Sequence, residues 1–171
     1  MSAGTPPAPA ELVLVRASDA EVLTHGPGSL VTLLTDSDAT GGALTSNRAT
    51  LRRGVDGAPP HFHTKAAEML FVLDGSLRVL AGDRVLTLYE GDTFLAPPRL
   101  THAFAPAPDA DAEVLVVFTP GMDRFDYYRL LDRVNSGEAD PAEIARSQQR
   151  FDNHYVDSPV WREALKGRPV R

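Results

Sequence analysis

Two imidazoles and one carboxylate lie close together in the stretch P-P-H-F-H-T-K-A-A-E-M-L-F-V-L-D-G, residues 59–75. His61 and His63 are two residues apart, so both rings point to the same face of an extended strand. Glu68 follows five residues later, an odd separation that would turn it to the opposite face of an unbroken strand. We therefore expect a turn over T-K-A-A, after which Glu68 begins a second strand and shares its face with Leu70 and Val72.

A third imidazole lies downstream in G-D-T-F-L-A-P-P-R-L-T-H, where Gly91 and Pro97 flank a short apolar strand and His102 begins another. Three neutral imidazoles and one carboxylate suit a divalent transition metal, because imidazole binds iron, nickel, copper and zinc while a carboxylate adds a hard oxygen donor. The chain has no cysteine, so no thiolate contributes. The alternative is that these histidines are half-buried strand residues that hydrogen-bond to their neighbours. Four donors in register across two segments favour the metal.

The same residues resemble the metal-binding motifs of the cupin family. The first motif, H-x-H, four residues, E, six residues, G, is matched by His61, His63, Glu68 and Gly75. Most of the second motif is matched by Gly91, Pro97 and His102, and the resemblance spans roughly residues 44–121. It implies one divalent metal, Fe, Mn, Ni, Cu, Co or Zn, held by His61, His63, Glu68 and His102.

Three turn positions depart from the family pattern. Val55 stands where the first motif has a glycine, with Gly54 and Gly57 nearby. Arg99 stands where the second motif has a glycine two residues after the proline, and Pro106 replaces an asparagine that often follows the histidine. These departures leave the ligand set intact. They raise the question of how the turn at Arg99 is formed.

The hydrophobic pattern independently predicts an all-β fold. From residue 59 to 118, short apolar runs alternate with turns at D-G, A-G-D and Y-E-G-D, residue types that tight hairpins need for positive φ. Earlier strands are expected over L-V-L-V-R, residues 12–16, and over residues 43–51. Many short strands without intervening helices indicate an antiparallel barrel or jelly roll, the architecture that the cupin resemblance also implies.

Three segments are expected along the chain. Residues 1–10 are too poor in apolar side chains to order themselves and read as a flexible tail, and residues 11–119 form the barrel. Residues 120–171 form a helical extension packed on the barrel or on a partner subunit, with one helix in M-D-R-F-D-Y-Y-R-L-L-D-R-V and another from Pro141 to about Arg150.

Two further histidines and the single tryptophan are open to more than one interpretation. His25 lies in a turn-like setting without ligand spacing and is predicted to be at the surface. His154, Tyr155 and Trp161 could belong to a lid over the barrel, with His154 near the substrate. The favoured alternative is that these aromatic residues attach a C-terminal helix to the outside of the barrel or to a partner subunit.

Composition excludes several partners and compartments. A net charge of −6 and a pI near 5.3 argue against a nucleic-acid surface, which needs clustered Lys and Arg. The N-terminus has no basic region and no apolar core, so no signal peptide is expected, and no apolar run approaches the length of a membrane span. We therefore expect a cytoplasmic protein with neither a nucleic-acid nor a membrane partner.

The metal and its surroundings predict a small-molecule substrate. Four protein ligands on a metal that prefers six leave two positions open for water, O₂ or a chelating substrate. The apolar side chains Leu70, Val72, Phe94 and Phe104 are predicted to line the substrate pocket. Asn47 could also reach it, although a solvated position on a mixed strand is the simpler interpretation for Asn47.

The resemblance extends to single-domain cupins of the quercetin-dioxygenase-like group. It implies a dioxygenase that acts on a small aromatic, flavonol-like or polyketide-like substrate, with Glu68 as ligand and proton acceptor. The first alternative is a non-redox cyclase or isomerase of the aromatic polyketide type, in which the metal is a Lewis acid. The second is a non-catalytic metal or small-molecule binding protein. Oxygen consumption separates the first two.

A homodimer is predicted from the strand that begins at Glu68. If Glu68, Leu70 and Val72 point inward, then Met69, Phe71 and Leu73 point outward. Three large apolar side chains in a row on one strand are expected to be covered. The candidates are the C-terminal helices of the same chain or the same sheet of a second subunit.

Overall fold

The computed structural model of the protein describes residues 12–166, so the predicted flexible tail over residues 1–10 lies outside the described residues. Within that range the strands are β1 (Val22–Thr24), β2 (Ser29–Thr35), β3 (Thr45–Leu51), β4 (Ala58–Phe62), β5 (Ala67–Ala81), β6 (Arg84–Tyr89), β7 (Thr93–Ala96), β8 (His102–Pro106), β9 (Ala112–Thr119) and β10 (His154–Tyr155). The helices are α1 (Phe125–Asn135), α2 (Ala142–Phe151) and α3 (Pro159–Lys166), and Asp38–Thr40 forms one 3-10 turn.

The strands form one strongly curved antiparallel sheet whose order is β1-β2-β3-β9-β5-β8-β4-β10, with β6 and β7 also paired to β5. The chain therefore folds into an antiparallel, barrel-like structure followed by C-terminal helices, and the predicted fold class is confirmed. Most neighbours in this order are distant in sequence, as β3 with β9 and β5 with β8 show. This crossing pattern is typical of a jelly roll and differs from a simple meander.

Strand β5 corrects one predicted turn. The D-G pair at Asp74 and Gly75 was expected to close a hairpin, but β5 runs through it without reversing. The pairing with β9 is bulged between Val72 and Asp74, and Gly75 follows this bulge with φ of 75°, where a Cβ would come within 2.0 Å of the Asp111 carbonyl oxygen. Residues that accept positive φ occur in tight turns and near bulges alike. The D-G pair therefore marks an irregular backbone, as expected, but the predicted reversal of the chain was wrong.

Because β5 continues through Gly75, this one strand pairs with strands of both halves of the barrel. Residues before it pair with β7 and β9, and residues after it pair with β6 and β8. The predicted alternation holds along the first half, where Glu68, Leu70 and Val72 are buried. Met69 and Phe71 are half-buried on the opposite face, so the inward direction of Glu68 is fixed by the core residues beside it.

The N-terminal prediction was wrong. Residues 12–16 form no strand, and their apolar side chains are exposed, Leu12 by 89% and Leu14 by 61%. The apolar composition of this segment predicted a core strand, yet within the described chain it has no sheet neighbour.

The C-terminal helices were predicted correctly and pack on their own barrel. Tyr127 and Tyr128 of α1 lie in one buried cluster with Val31 and Leu33 of β2. The predicted start of α2 is capped, because Asp140 Oδ1 accepts a hydrogen bond from the backbone N–H of Ala142 at 2.9 Å. These contacts place α1 and the segment after α2 over the open end of the barrel.

None of the three helices in the described range is long and apolar enough to cross a membrane. The cytoplasmic location expected from the N-terminal sequence stays a prediction, because most of that sequence lies outside the described residues.

Candidate metal centre

The four predicted ligands come from three neighbouring strands and meet inside the barrel. His61 lies on β4 directly opposite His102 on β8, and His102 is also paired with Ala81 of β5. His63 follows the end of β4, and the turn predicted over residues 64–67 returns the chain so that Glu68 enters the same space from β5. All four side chains are at most 4% exposed.

The donor atoms have the spacing that one metal ion requires. Glu68 Oε2 lies 2.8 Å from Nε2 of His63, 2.8 Å from Nε2 of His102 and 3.6 Å from Nε2 of His61. One ligand atom from each of the four residues lies within 4.8 Å of all the others. Ligands at about 2.1 Å from an ion are about 3 Å apart at right angles and about 4.2 Å apart when opposite. The donor set therefore fits an octahedral site with two positions left over.

Hydrogen bonds on the far side of each ring fix the imidazole tautomers. Nδ1 lies 2.7 Å from the Pro59 carbonyl oxygen in His61, 2.7 Å from the Asp152 carbonyl oxygen in His63 and 2.9 Å from the Leu100 carbonyl oxygen in His102. A carbonyl oxygen only accepts, so Nδ1 carries the proton and Nε2 presents a lone pair to the centre. Three Nε2 lone pairs and a carboxylate oxygen directed at one point form a donor set that a divalent ion would satisfy.

The ionisation of the cluster agrees with a cation site. Burial lowers the pKa of His61 to about 4, so this ring is neutral at pH 7. Burial alone would raise the pKa of the Glu68 carboxyl, but the surrounding imidazoles hold it well below its usual range. Burial likewise opposes protonation of His102, and the charge of Glu68 outweighs it and raises the pKa of His102.

At Arg99 and near Val55, where the family pattern has glycine, the backbone keeps the conformation or the close approach that glycine allows. Arg99 adopts φ of 71°, the left-handed conformation of a glycine, and its N–H donates to the His63 carbonyl oxygen at 2.7 Å. Its side chain is exposed, so it does not enter the centre. Gly57 supplies the close approach near Val55, because a Cβ at Gly57 would come within 2.1 Å of the Phe104 carbonyl oxygen.

The turn between the first two histidines and the glutamate is held by Asp152. The Asp152 carboxylate accepts hydrogen bonds from the Thr64 hydroxyl at 2.7 Å, the Thr64 N–H at 3.0 Å and the Lys65 N–H at 2.9 Å. Its backbone oxygen accepts from His63 Nδ1. Asp152 has φ of 47°, a left-handed conformation at the end of α2. One residue of the extension thus positions a ligand ring and the turn beside it.

A cavity of about 160 Å³ opens from the centre towards α1. Its wall is mostly apolar, and Glu68 is the only acidic residue among the described residues that line it. The apolar wall includes Val31, Ala49, Leu51, Phe104 and Leu131. The polar groups opposite it belong to His25, Asn47, Arg124, Tyr127, Tyr128, Asn153 and Tyr155. A few polar groups in an apolar cavity are typical of a small-molecule site.

The predicted pocket residues separate into two groups. Asn47 and Phe104 line the cavity, and Asn47 is 1% exposed with its Oδ1 accepting from the Tyr128 hydroxyl at 3.1 Å. Leu70 and Val72 are fully buried in the barrel core, and Phe94 packs against that core while half-buried. These three point to the same interior but are not among the residues that line the cavity.

His25 was predicted to be a surface residue, and this was wrong. Its ring lines the cavity and meets the Tyr128 ring edge-on, with centroids 6.3 Å apart. His154 does not line the cavity, since it stacks on Phe62 and its Nε2 lies 3.0 Å from Asp152 Oδ1. Trp161 packs against Leu80, Ala103 and Ala105 outside the barrel, as the favoured interpretation of the tail had it.

Several cavity residues were missed because their positions depend on tertiary packing. Arg124 lies just before α1, where the sequence suggested only an amphipathic helix. Tyr127 and Asn153 also carried no recognisable motif, although the group F-D-N-H-Y was noted as an aromatic segment.

Comparison with known families agrees with this geometry. The family model of the Cupin domain matches residues 47–118, which include all four candidate ligands. The barrel has the cupin fold. No curated protein shows significant sequence similarity to the chain.

Solved structures with a similar fold include KdgF from Halomonas sp., at 20% identity and a TM-score of 0.57, covering 67% of this chain and 99% of that one. An RmlC-like cupin from Shewanella frigidimarina has 17% identity and a TM-score of 0.56, covering 67% and 96%. The polyketide cyclase RemF from Streptomyces resistomycificus has 22% identity and a TM-score of 0.52, covering 64% and 80%. At these identities the likeness concerns the fold.

Proposed function

We propose that this protein is a metal-dependent cupin enzyme, a dioxygenase of the quercetin-dioxygenase-like group that acts on a small aromatic substrate. The observation that supports it is the buried set His61, His63, Glu68 and His102, of which His61 and Glu68 line a largely apolar cavity. A structural metal site is normally closed by its protein ligands, whereas four donors to an octahedral ion leave room for reactants.

Different residues of this chain would bind the metal, accept a proton and exclude water. The three imidazoles and Glu68 would hold a divalent Fe, Mn, Ni, Cu, Co or Zn ion, which when bound supplies the Lewis-acid or redox chemistry. Glu68 also lines the cavity, so after moving off the metal it would be able to accept a proton from a substrate hydroxyl. The apolar wall excludes water from that step and suits both an aromatic ring and O₂.

The volume of the cavity limits the size of the substrate. A cavity of about 150 Å³ holds one benzene ring, and the volume in this cupin is about 160 Å³. This favours a single-ring aromatic substrate over a three-ring flavonol or a polyketide. The substrate would place one or two oxygen donors towards the ligand cluster and its ring against Phe104 and Leu51.

A second candidate is a non-redox cyclase or isomerase. It is favoured by the polar groups opposite the centre, because the Tyr128 hydroxyl and the Arg124 guanidinium can stabilise a developing oxyanion without any oxidant. The similarity to the polyketide cyclase RemF adds to this candidate at the level of the fold.

An oxygen electrode separates the two. Protein purified without an affinity tag is analysed for metals, reloaded with each candidate ion and supplied with single-ring catechols, hydroxy acids and hydroxyketones. Dioxygenation predicts oxygen uptake equal to substrate loss in at least one combination. Substrate loss without oxygen uptake would replace the dioxygenase by the non-redox candidate. Tight binding without turnover in any combination would make the protein a non-catalytic binder.

A homodimer is part of the proposal. On the outer face of β5, Met69 lies opposite Leu95 and Val117, and Phe71 lies opposite Leu115. Leu73 and Leu95 on this face are 38% and 56% exposed, and the apolar segment over residues 12–15 is exposed as well. A second copy that covers this face would bury surface that a monomer leaves in water.

A further inference from the structure

Arg124 is a buried cation without a carboxylate partner. Its side chain is 3% exposed, and its guanidinium lies 4.2 Å from the Tyr127 ring centroid, 4.8 Å from that of Phe118 and 5.0 Å from that of Tyr128. Among the described residues it forms no ion pair within 4 Å, and its hydrogen bond at 3.0 Å goes to the neutral amide oxygen of Asn153. Burial opposes the charge of Arg124, but Tyr128, Tyr127 and the more distant Glu68 outweigh it and raise the pKa of Arg124, and none of them pairs with it as a carboxylate in contact. Burying an unpaired charge is costly, so such a group is retained when an anionic ligand completes it.

Two donor groups, one in Arg124 itself and one in its neighbour Asn153, have no hydrogen-bond acceptor. Arg124 Nε and Asn153 Nδ2 are buried and have no hydrogen-bond partner, and Asn153 is 2% exposed. Both residues line the cavity that contains Glu68. Buried polar groups in folded proteins are satisfied with few exceptions, so two adjacent orphaned donors indicate a missing acceptor. An oxygen acid offers the acceptor lone pairs that both donors need.

The ring of Phe118 lies between Arg124 and the ligand cluster. The Phe118 ring is in contact with both, since its centroid is 5.5 Å from that of the His63 ring and 4.8 Å from the Arg124 guanidinium. Glu68 is the one acidic residue among the described lining residues, so a divalent ion and Arg124 would leave the cavity with an excess of two positive charges. An anionic substrate reduces that excess, and a neutral substrate does not.

We infer that Arg124 and Asn153 form a carboxylate-binding subsite, and that the substrate is a small carboxylic acid of at most one ring. The inference rests on the proposed function for the role of the opposite end, where another oxygen of the same molecule meets the ligand cluster. The planar guanidinium suits a planar carboxylate better than a tetrahedral phosphate in a cavity of about 160 Å³. The stacked rings of Tyr127 and Phe118 hold the guanidinium in place before the ligand arrives.

The sharpest test is Asn153→Asp, which places a carboxylate of the protein beside Arg124. The new side chain keeps the oxygen that accepts from Arg124 Nη1 and satisfies the cation internally, so the fold is retained. Asn135→Asp is the matched control, because Asn135 is exposed at the end of α1 and the charge change is the same. Arg124→Met removes the cation and keeps an apolar side chain of similar length.

Binding is measured by calorimetry or ligand-observed NMR on chelator-treated, metal-free protein and repeated with zinc. The probes are benzoate with benzamide, acetate with acetamide, and inorganic phosphate. The wild type is expected to bind at least one carboxylate tenfold or more tightly than its amide. Asn153→Asp and Arg124→Met are expected to lose that preference at least tenfold, while Asn135→Asp retains it within twofold. Thermal melts verify that each variant is folded.

Three results would overturn the inference. They are equal affinity of the wild type for acid and amide, an unchanged preference in folded Asn153→Asp, and phosphate binding tighter than either carboxylate. Failure of the proposed function gives a different pattern. In that case the carboxylate preference depends on Arg124 in metal-free protein, while no metal supports turnover.

Discussion

Asp152→Asn tests whether the C-terminal extension holds the metal-binding turn in place. The Asp152 carboxylate is 6% exposed and accepts hydrogen bonds from the Thr64 hydroxyl and N–H, from the Lys65 N–H and from His154. Asparagine has the same size and keeps one acceptor oxygen. Its Nδ2 would face the Lys65 N–H, donor against donor, and the negative charge would be lost.

The size of the effect follows from these contacts. A hydrogen bond to a charged group contributes about 1.5–3 kcal/mol, and the variant loses at least one such bond and weakens the others. We expect a loss of about 2–3 kcal/mol in the free energy of unfolding. For a domain of this length, 1 kcal/mol corresponds to a shift in Tm of about 2–4 °C, so Tm should fall by roughly 4–12 °C. Urea unfolding followed by circular dichroism measures the same change.

The pH dependence has a definite sign. Burial opposes ionisation of Asp152, but hydrogen bonds from Thr64, Lys65 and His154 outweigh it and lower the pKa of the carboxyl. A lowered pKa in the folded state contributes stability that is present above the unfolded value of about 3.9 and is lost as the pH falls through the folded value. The difference between wild type and Asp152→Asn should therefore be constant near neutral pH and shrink only below about pH 4.

The control is Asp109→Asn, which makes the same chemical change at an exposed turn and should shift stability by less than about 0.5 kcal/mol. Equal stability of Asp152→Asn and wild type at pH 7 would refute the reasoning. A difference that vanished already near pH 6 would also refute it, because the carboxylate would then have a raised pKa.

Three further predictions concern the metal and the assembly. Replacing each ligand histidine by alanine should reduce bound metal well below one per chain by elemental analysis, whereas His154→Ala should keep it; full occupancy in any two ligand variants would contradict the site. Glu68→Gln should lower turnover about 10²-fold or more while metal occupancy falls less, and near-normal turnover would leave Glu68 as a ligand only. Sedimentation should give a dimer for the wild type and a shift towards monomer for Phe71→Asp, and a monomeric wild type would refute the dimer.

The ligand cluster could be predicted from the sequence because local rules fix it. A separation of two residues puts His61 and His63 on one face, and a turn returns Glu68 to the same side. The pairing of His61 with His102 depends on a long-range contact between β4 and β8. The sequence still indicated it, because the glycine and proline before His102 match the second motif. The inward direction of Glu68 followed from the burial of Leu70 and Val72 on the same strand.

The backbone conformation at two positions could not be read from residue identity. Arg99 takes a left-handed conformation that the family gives to glycine, which an exposed side chain and the hydrogen bond to the His63 carbonyl make tolerable. Asp74 and Gly75 have the composition of a hairpin turn, yet they follow a bulge and continue β5, because each half of the strand pairs with different partners. Long-range pairing decides between these outcomes, and a local signal does not contain it.

The division of the site between barrel and extension explains why the substrate end was harder to predict than the metal end. All four candidate ligands lie within residues 47–118, where the family motif applies. Arg124, Tyr127, Asn153 and Tyr155 lie beyond that match and reach the cavity only after α1 and the segment following α2 fold over the barrel. Barrels of one family can therefore keep the same metal chemistry while their extensions select different substrates. In this chain the extension supplies a cation and an amide donor, so the choice of substrate should depend on charge before it depends on shape.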